Sequence, residues 1–235
     1  MSQILDNQYE GNTNELTRDF FKNVYGYMFA ALAVSGVVAY LAGTPDVVFK
    51  YFISEARPTG LFYIIMFAPV GLALLIQTRY RKLSMGALLA AFLGYAILIG
   101  LSFSVILMAY TSSVIAQAFF VSAGGFAVMA ILGYTTKTDL TKMGSLLYMA
   151  FAGIFIASIV NVFLGSGMLN FWISVIGVFV FTGLTAFYMQ KFKNLSKDVS
   201  LTGIERNKLA LVGGLMLYIL FINLFMSVLR LLGRD

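Results

Sequence analysis

The sequence predicts an all-α, polytopic membrane protein, a bundle of seven transmembrane helices, and three observations carry that prediction. Residues 83–136 run for 54 positions without one Asp, Glu, Lys or Arg. The chain as a whole is 60% hydrophobic and 11% charged, against about 25% charged in ordinary soluble domains. The uncharged blocks also come in quantised lengths. A hydrocarbon core about 30 Å thick needs roughly 20 apolar residues per helix, and the blocks at 23–45, 58–78 and 209–229 are single-span length, while 83–136 and 143–190 are double.

Each double block must turn once. Ala109-Tyr110-Thr111-Ser112-Ser113 breaks the first, and Gly165-Ser166-Gly167-Met168-Leu169-Asn170 breaks the second, both rich in the small and polar residues that punctuate helices. The spans therefore fall near 23–42, 59–78, 86–108, 113–133, 145–164, 171–189 and 209–229. They leave residues 1–19 as a polar segment expected in the cytoplasm, and 20–235 as a single transmembrane domain. Pro69 in the second span removes an amide donor and is expected to kink or loosen that helix.

Residues 1–19 carry Asp6, Glu10, Glu15 and Asp19 against Arg18 alone. The basic start of a cleaved secretory signal is missing, and the first apolar block is too long for one, so it is read as a retained first helix. Lys and Arg are kept in short cytoplasmic loops. With an odd number of spans, twelve of the sixteen cations fall on the side of the N-terminus and four on the other. This predicts a cytoplasmic N-terminus and a periplasmic C-terminus; with one segment re-entrant instead, six spans remain and the C-terminus moves inside. The cations are divided among loops rather than gathered on one face, so the net charge of +6 marks topology and proximity to anionic headgroups, and nucleic acid is not an expected partner.

Zero cysteine and zero histidine exclude disulfides, thiolate and histidine metal ligation, Ser/His hydrolysis and a histidine pH switch. The aspartyl type of intramembrane proteolysis needs two membrane aspartates, and the spans hold none. No catalytic residue, cofactor or metal site is therefore expected, and the chain reads as a non-enzyme.

Inside the spans, small residues recur at four-residue spacing, as in Ala90 with Gly94, Ala96 with Gly100, and Gly153 with Ala157. This is the pattern that lets helices approach closely in lipid. Asn161, Gln117, Tyr188, Tyr218 and Asn223 are polar groups at or near membrane depth, each needing a partner in the bundle or trapped water.

Three stretches carry a family resemblance. Gly133-Tyr134-Thr135-Thr136-Lys137-Thr138-Asp139-Leu140 ends the fourth span, residues 183–194 from Gly183 through Tyr188, Gln190 and Lys191 end the sixth, and residues 217–225 with Tyr218, Leu220 and Asn223 fill the seventh. With Asn161 before Phe163-Leu164, they resemble the bacterial branch of the Bax inhibitor-1 family over nearly the whole chain. The resemblance implies a bundle with a central helix surrounded by the others, a place in the bacterial inner membrane, and a pH-sensitive calcium leak or regulation of a membrane protease.

The chain departs from that pattern at two positions. The family's aspartates in the sixth and seventh spans align with Tyr188 and Leu220. Paired carboxylates in low dielectric share a proton near neutrality and supply hard oxygen ligands for calcium; tyrosine and leucine cannot. The expectation is a calcium or cation leak whose pH-sensing pair has been replaced, with Tyr188, Leu220, Asn223, Tyr218 and Asn161 around the altered pore or a neutral hydrogen-bonded latch. Asp139 is the best carboxylate candidate in the loops, its alternative role being a helix-start cap. The competing expectation is a regulator that transports nothing.

Overall fold

The computed structural model describes residues 2–44, 51–54, 57–198 and 200–233, leaving aside the side chains of 2–14, 53, 54, 57, 58, 62 and 107. Among them stand seven helices: α1 (Ser2–Ala42), α2 (Gly60–Arg79), α3 (Met85–Ala109), α4 (Ser112–Thr135), α5 (Thr141–Leu164), α6 (Gly167–Ser196) and α7 (Gly203–Leu232). A two-residue antiparallel ladder, β1 (Ile53–Ser54) with β2 (Arg57–Pro58), precedes α2. Six helices are long and apolar enough to cross a bilayer, and α2, 20 residues long, continues through Pro69.

The polarity of the surface is that of a membrane protein. Large apolar side chains stand outward, among them Phe120 and Ile131 on α4 and Met149, Ile156 and Phe163 on α5, while Ser35, Ser104, Ser122, Ser174, Thr185 and Ser227 are buried. Such a face is stable only where the solvent is itself apolar. The spans share this unequally. None of the most apolar stretch of α5 is buried (0%), whereas 67% of that of α7 is.

Helix breaks follow local chemistry. Ser84 caps α3, its Oγ accepting from the Ala87 amide at 3.2 Å, the usual repair for an orphan first-turn N–H. Between α5 and α6, Gly165 takes φ 61°, the left-handed conformation that ends helices and suits glycine. Ser166 Oγ then accepts from the Leu169 amide (3.2 Å) to start α6.

The chain divides into two compact units, Met1–Thr111 with Ser196–Tyr218, and Ser112–Leu195 with Ile219–Asp235. In the first, α3 packs on α1 and on α2. A Cβ on Gly100 would meet the Ser35 carbonyl and Val38, and one on Gly214 would meet Tyr27 and the Val24 carbonyl. Ser102 donates across to the Ile65 carbonyl at 3.3 Å. The buried pair Ser196 to Thr17 (3.0 Å) and the exposed pair Asn23 to Asn207 (3.1 Å) link sequence-distant helices.

In the second unit, a Cβ on Gly133 would overlap the Ala186 backbone, Gly144 sits under the Phe187 ring, and Gly183 lies against Leu147. Phe221 of α7 stands edge-on to Phe119 and Phe126 of α4, both at 5.7 Å. The small-residue spacing thus marks a packing face at Gly100. It does not at Gly153, which has nothing within 4 Å because α5 turns that stretch outward.

Candidate functional site

Tyr188 lies on α6 and Leu220 on α7, both buried, at 5% and 3% exposure. The Tyr188 ring sits among Tyr148 (6.1 Å between centroids), Phe187 (5.4 Å) and Phe192 (5.5 Å), the first two edge-on. Lys191 Nζ stands 5.6 Å from its centroid, within cation–π range. An aromatic shell capped by a cation thus surrounds Tyr188.

The other candidate residues serve different neighbours. Asn223 Nδ2 donates to the Ile219 carbonyl of its own helix at 2.8 Å, and Ser227 Oγ donates to the Asn223 carbonyl, also at 2.8 Å. Asn161 belongs to the turn after α5, its Oδ1 accepting from the Ser166 amide (3.0 Å) and its carbonyl from the Gly165 amide (2.8 Å). Back-bonding to the preceding turn recurs at Ser104, Ser158, Ser174, Thr182 and Thr185, which satisfies hydroxyls at membrane depth without any neighbour helix.

Tyr218 differs. Its side chain is fully buried (0% exposed), and its hydroxyl has no hydrogen-bond partner among the described residues. The Tyr95 ring stands edge-on to it at 5.9 Å. Ser35 lies close by but outside hydrogen-bonding geometry, its own proton going to the Leu32 carbonyl at 3.1 Å. A second buried hydroxyl, Ser122 on α4, is also without a partner among the described residues. Tyr95, Ser35 and Ser122 carry no signal in the sequence that separates them from other small or aromatic residues of a span.

The most ordered polar site joins the α4–α5 loop to α6. Gln190 grips the loop twice, its Oε1 accepting from the Leu140 amide (2.9 Å) and its Nε2 donating to the Thr138 carbonyl (2.8 Å). Lys193 Nζ donates to the Tyr134 carbonyl at 2.7 Å and stands 4.7 Å from that ring's centroid. Asp139 closes a local turn just before α5, its Oδ1 accepting from the Thr141 amide (2.9 Å) and hydroxyl (2.6 Å), while the cap position itself, Leu140, has no side-chain cap bond. These bonds, with Lys142 nearby, hold its carboxyl below the usual aspartate range. Two of the three stretches that carry the family resemblance are therefore one physical junction. Gln190 is the residue whose role sequence reading missed, and its place beside two cations just beyond the sixth span was the available signal. Among the described residues, no three Asp or Glu side chains gather as metal ligands would.

Fold and site together define a polytopic helical membrane protein whose buried side chains, among the described residues, are mostly apolar with a few hydroxyls and no carboxylate. The family profile described as "Inhibitor of apoptosis-promoting Bax1" matches residues 17–235, and the chain belongs to this Bax inhibitor-1 family. A protein of Borreliella burgdorferi is 40% identical over 215 residues, 92% of this chain and 91% of the relative. "Inner membrane protein YbhL" of Escherichia coli K12 is 38% identical over 217 residues, again 92% and 91%. A Deinococcus radiodurans protein is 36% identical over 231 residues, 98% of this chain and 96% of the relative.

Proposed function

We propose that this chain is a bacterial inner-membrane member of the family that acts by binding within the membrane, as a regulator of a membrane protease or of another membrane-stress component, and not as an enzyme or a proton-gated calcium leak. The observation that carries this reading is the shell around Tyr188: three aromatic rings and a lysine at the position where the family pattern places an acid. Leu220, equally buried, offers calcium no oxygen. The inner membrane is inferred from the kinship with the E. coli protein so named.

A second reading, a cation leak without pH control, is favoured by the buried Tyr218 hydroxyl, an oxygen that nothing described in the protein uses. Calcium flux into proteoliposomes decides between them. The samples are the wild-type chain, a Tyr188→Asp, Leu220→Asp double variant and protein-free vesicles, each at neutral and mildly acidic pH. Wild type leaking no faster than protein-free vesicles, with the double variant conducting in a pH-dependent way, supports the regulator. Conduction by wild type sinks it in favour of the leak.

A further inference from the structure

A cavity of about 400 Å³ at the end of α2 is lined by Leu75, Thr78, Arg79, Lys82 and Leu83, within the size range of small-ligand sites. The backbone that carries its two cations is a hydrogen-bonded turn. The Tyr80 amide donates to the Ile76 carbonyl (3.0 Å), and the Lys82 and Leu83 amides both donate to the Arg79 carbonyl (2.9 and 3.1 Å).

The charges around this turn are unevenly matched. Glu205 faces Arg81 and Lys208. The Arg81 Nε donates to the Tyr80 hydroxyl (3.1 Å), and Lys208 Nζ lies 3.4 Å from the Arg81 carbonyl it donates to. Arg79 and Lys82, both exposed, have no side-chain hydrogen bond and no carboxylate partner among the described residues. The cavity therefore gathers the two cations that the local acid does not neutralise, beside a threonine and between two leucines.

We propose that this cavity is a binding site for the phosphodiester headgroup of an anionic phospholipid. The site lies where an apolar helix gives way to a charged loop, which is the depth of the headgroup layer. Arg79 and Lys82 supply charge-assisted hydrogen bonds to phosphate oxygens. Leu75 and Leu83 face the first methylenes of the acyl chains. A soluble phosphate would use the cations and leave the leucines unused, so the mixed lining selects a lipid.

The test is native mass spectrometry of the full chain in mild detergent, titrated with dioleoylphosphatidylglycerol or with zwitterionic dioleoylphosphatidylcholine, and with inorganic phosphate as competitor. Wild type should retain one phosphatidylglycerol in preference to phosphatidylcholine. The Arg79→Gln, Lys82→Gln double variant should lose affinity about 30-fold, since each cation near an anionic surface is worth close to a factor of five. Lys197→Gln, at an exposed cation that does not line the cavity, should retain lipid as wild type does. Should the double variant not fold, Lys82→Glu at its exposed loop position reads the same loss. Equal retention of the two lipids, equal loss in Lys197→Gln, or displacement of phosphatidylglycerol by inorganic phosphate would each overturn the assignment.

Discussion

Tyr218 holds a fully desolvated hydroxyl that donates to nothing described in the protein, on a ring packed edge-on against Tyr95. Burying such a group unmade costs about 1–3 kcal/mol, whereas removing it in place leaves the ring packing untouched. Tyr218→Phe should therefore melt at the same temperature as wild type or higher when the chain is heated in detergent and followed by circular dichroism. Tyr218→Ala should lose about 3–5 kcal/mol through the cavity it leaves. A Tyr218→Phe protein destabilised as much as the alanine variant would mean that the hydroxyl is bonded after all, through an internal water reaching Ser35 or Tyr95. The residue scale is also where sequence reading stops short. That Tyr218 is polar and at membrane depth was legible. Whether a neighbouring oxygen lies within reach of its hydroxyl was not, because that is set by rotamer and helix rotation rather than by residue type.

The number and order of the helices were legible, because lipid thickness and charge-free length are one measurement. The expected 86–108 is Met85–Ala109, and 113–133 is Ser112–Thr135. The expectation falls short at α1, which begins at Ser2, at α5, which begins at Thr141, at α6, which runs from Gly167 to Ser196, and at α7, which runs from Gly203 to Leu232. Polar residues end the apolar run in these places while backbone hydrogen bonding continues. The extension of α6 is what delivers Gln190 and Lys193 to a loop some fifty residues earlier, a register between helices that no local pattern encodes. Two substitutions test this junction. Gln190→Ala removes two hydrogen bonds at 2.9 and 2.8 Å and should cost about 1–3 kcal/mol in all. The loss should appear as faster hydrogen exchange of the Leu140 amide with the helices still protected. Gly133→Val places a side chain into the Ala186 backbone, where neither strand of chain can yield. It should separate α4 from α6 and leave little monodisperse protein by size-exclusion chromatography, a larger effect than the about 1–3 kcal/mol of ordinary overpacking.

At the scale of the molecule, the distribution of titratable groups sets how the protein answers to pH. The chain has no histidine. The carboxylates with displaced values, Asp139, Asp198 and Glu205, are all held below their ordinary range, by bonds from Thr141, Ser200 and Thr202 respectively, with Lys142, Arg206, Arg81 and Lys208 adding to the effect. A carboxylate with a depressed folded value contributes stability that is fully present above its unfolded value, about 4, and is lost as pH falls through the folded value. The melting temperature should therefore be flat from about pH 8 to about pH 5.5 and decline only below about pH 4. The decline should be shallow, since all three groups lie at the solvated surface. A bundle governed by a shared membrane proton would behave differently, changing stability and permeability together near neutrality. The same titration on the Tyr188→Asp, Leu220→Asp variant should show such a transition appear where wild type has none. A transition near neutrality in the wild-type chain would show that some group other than those two positions carries a proton switch.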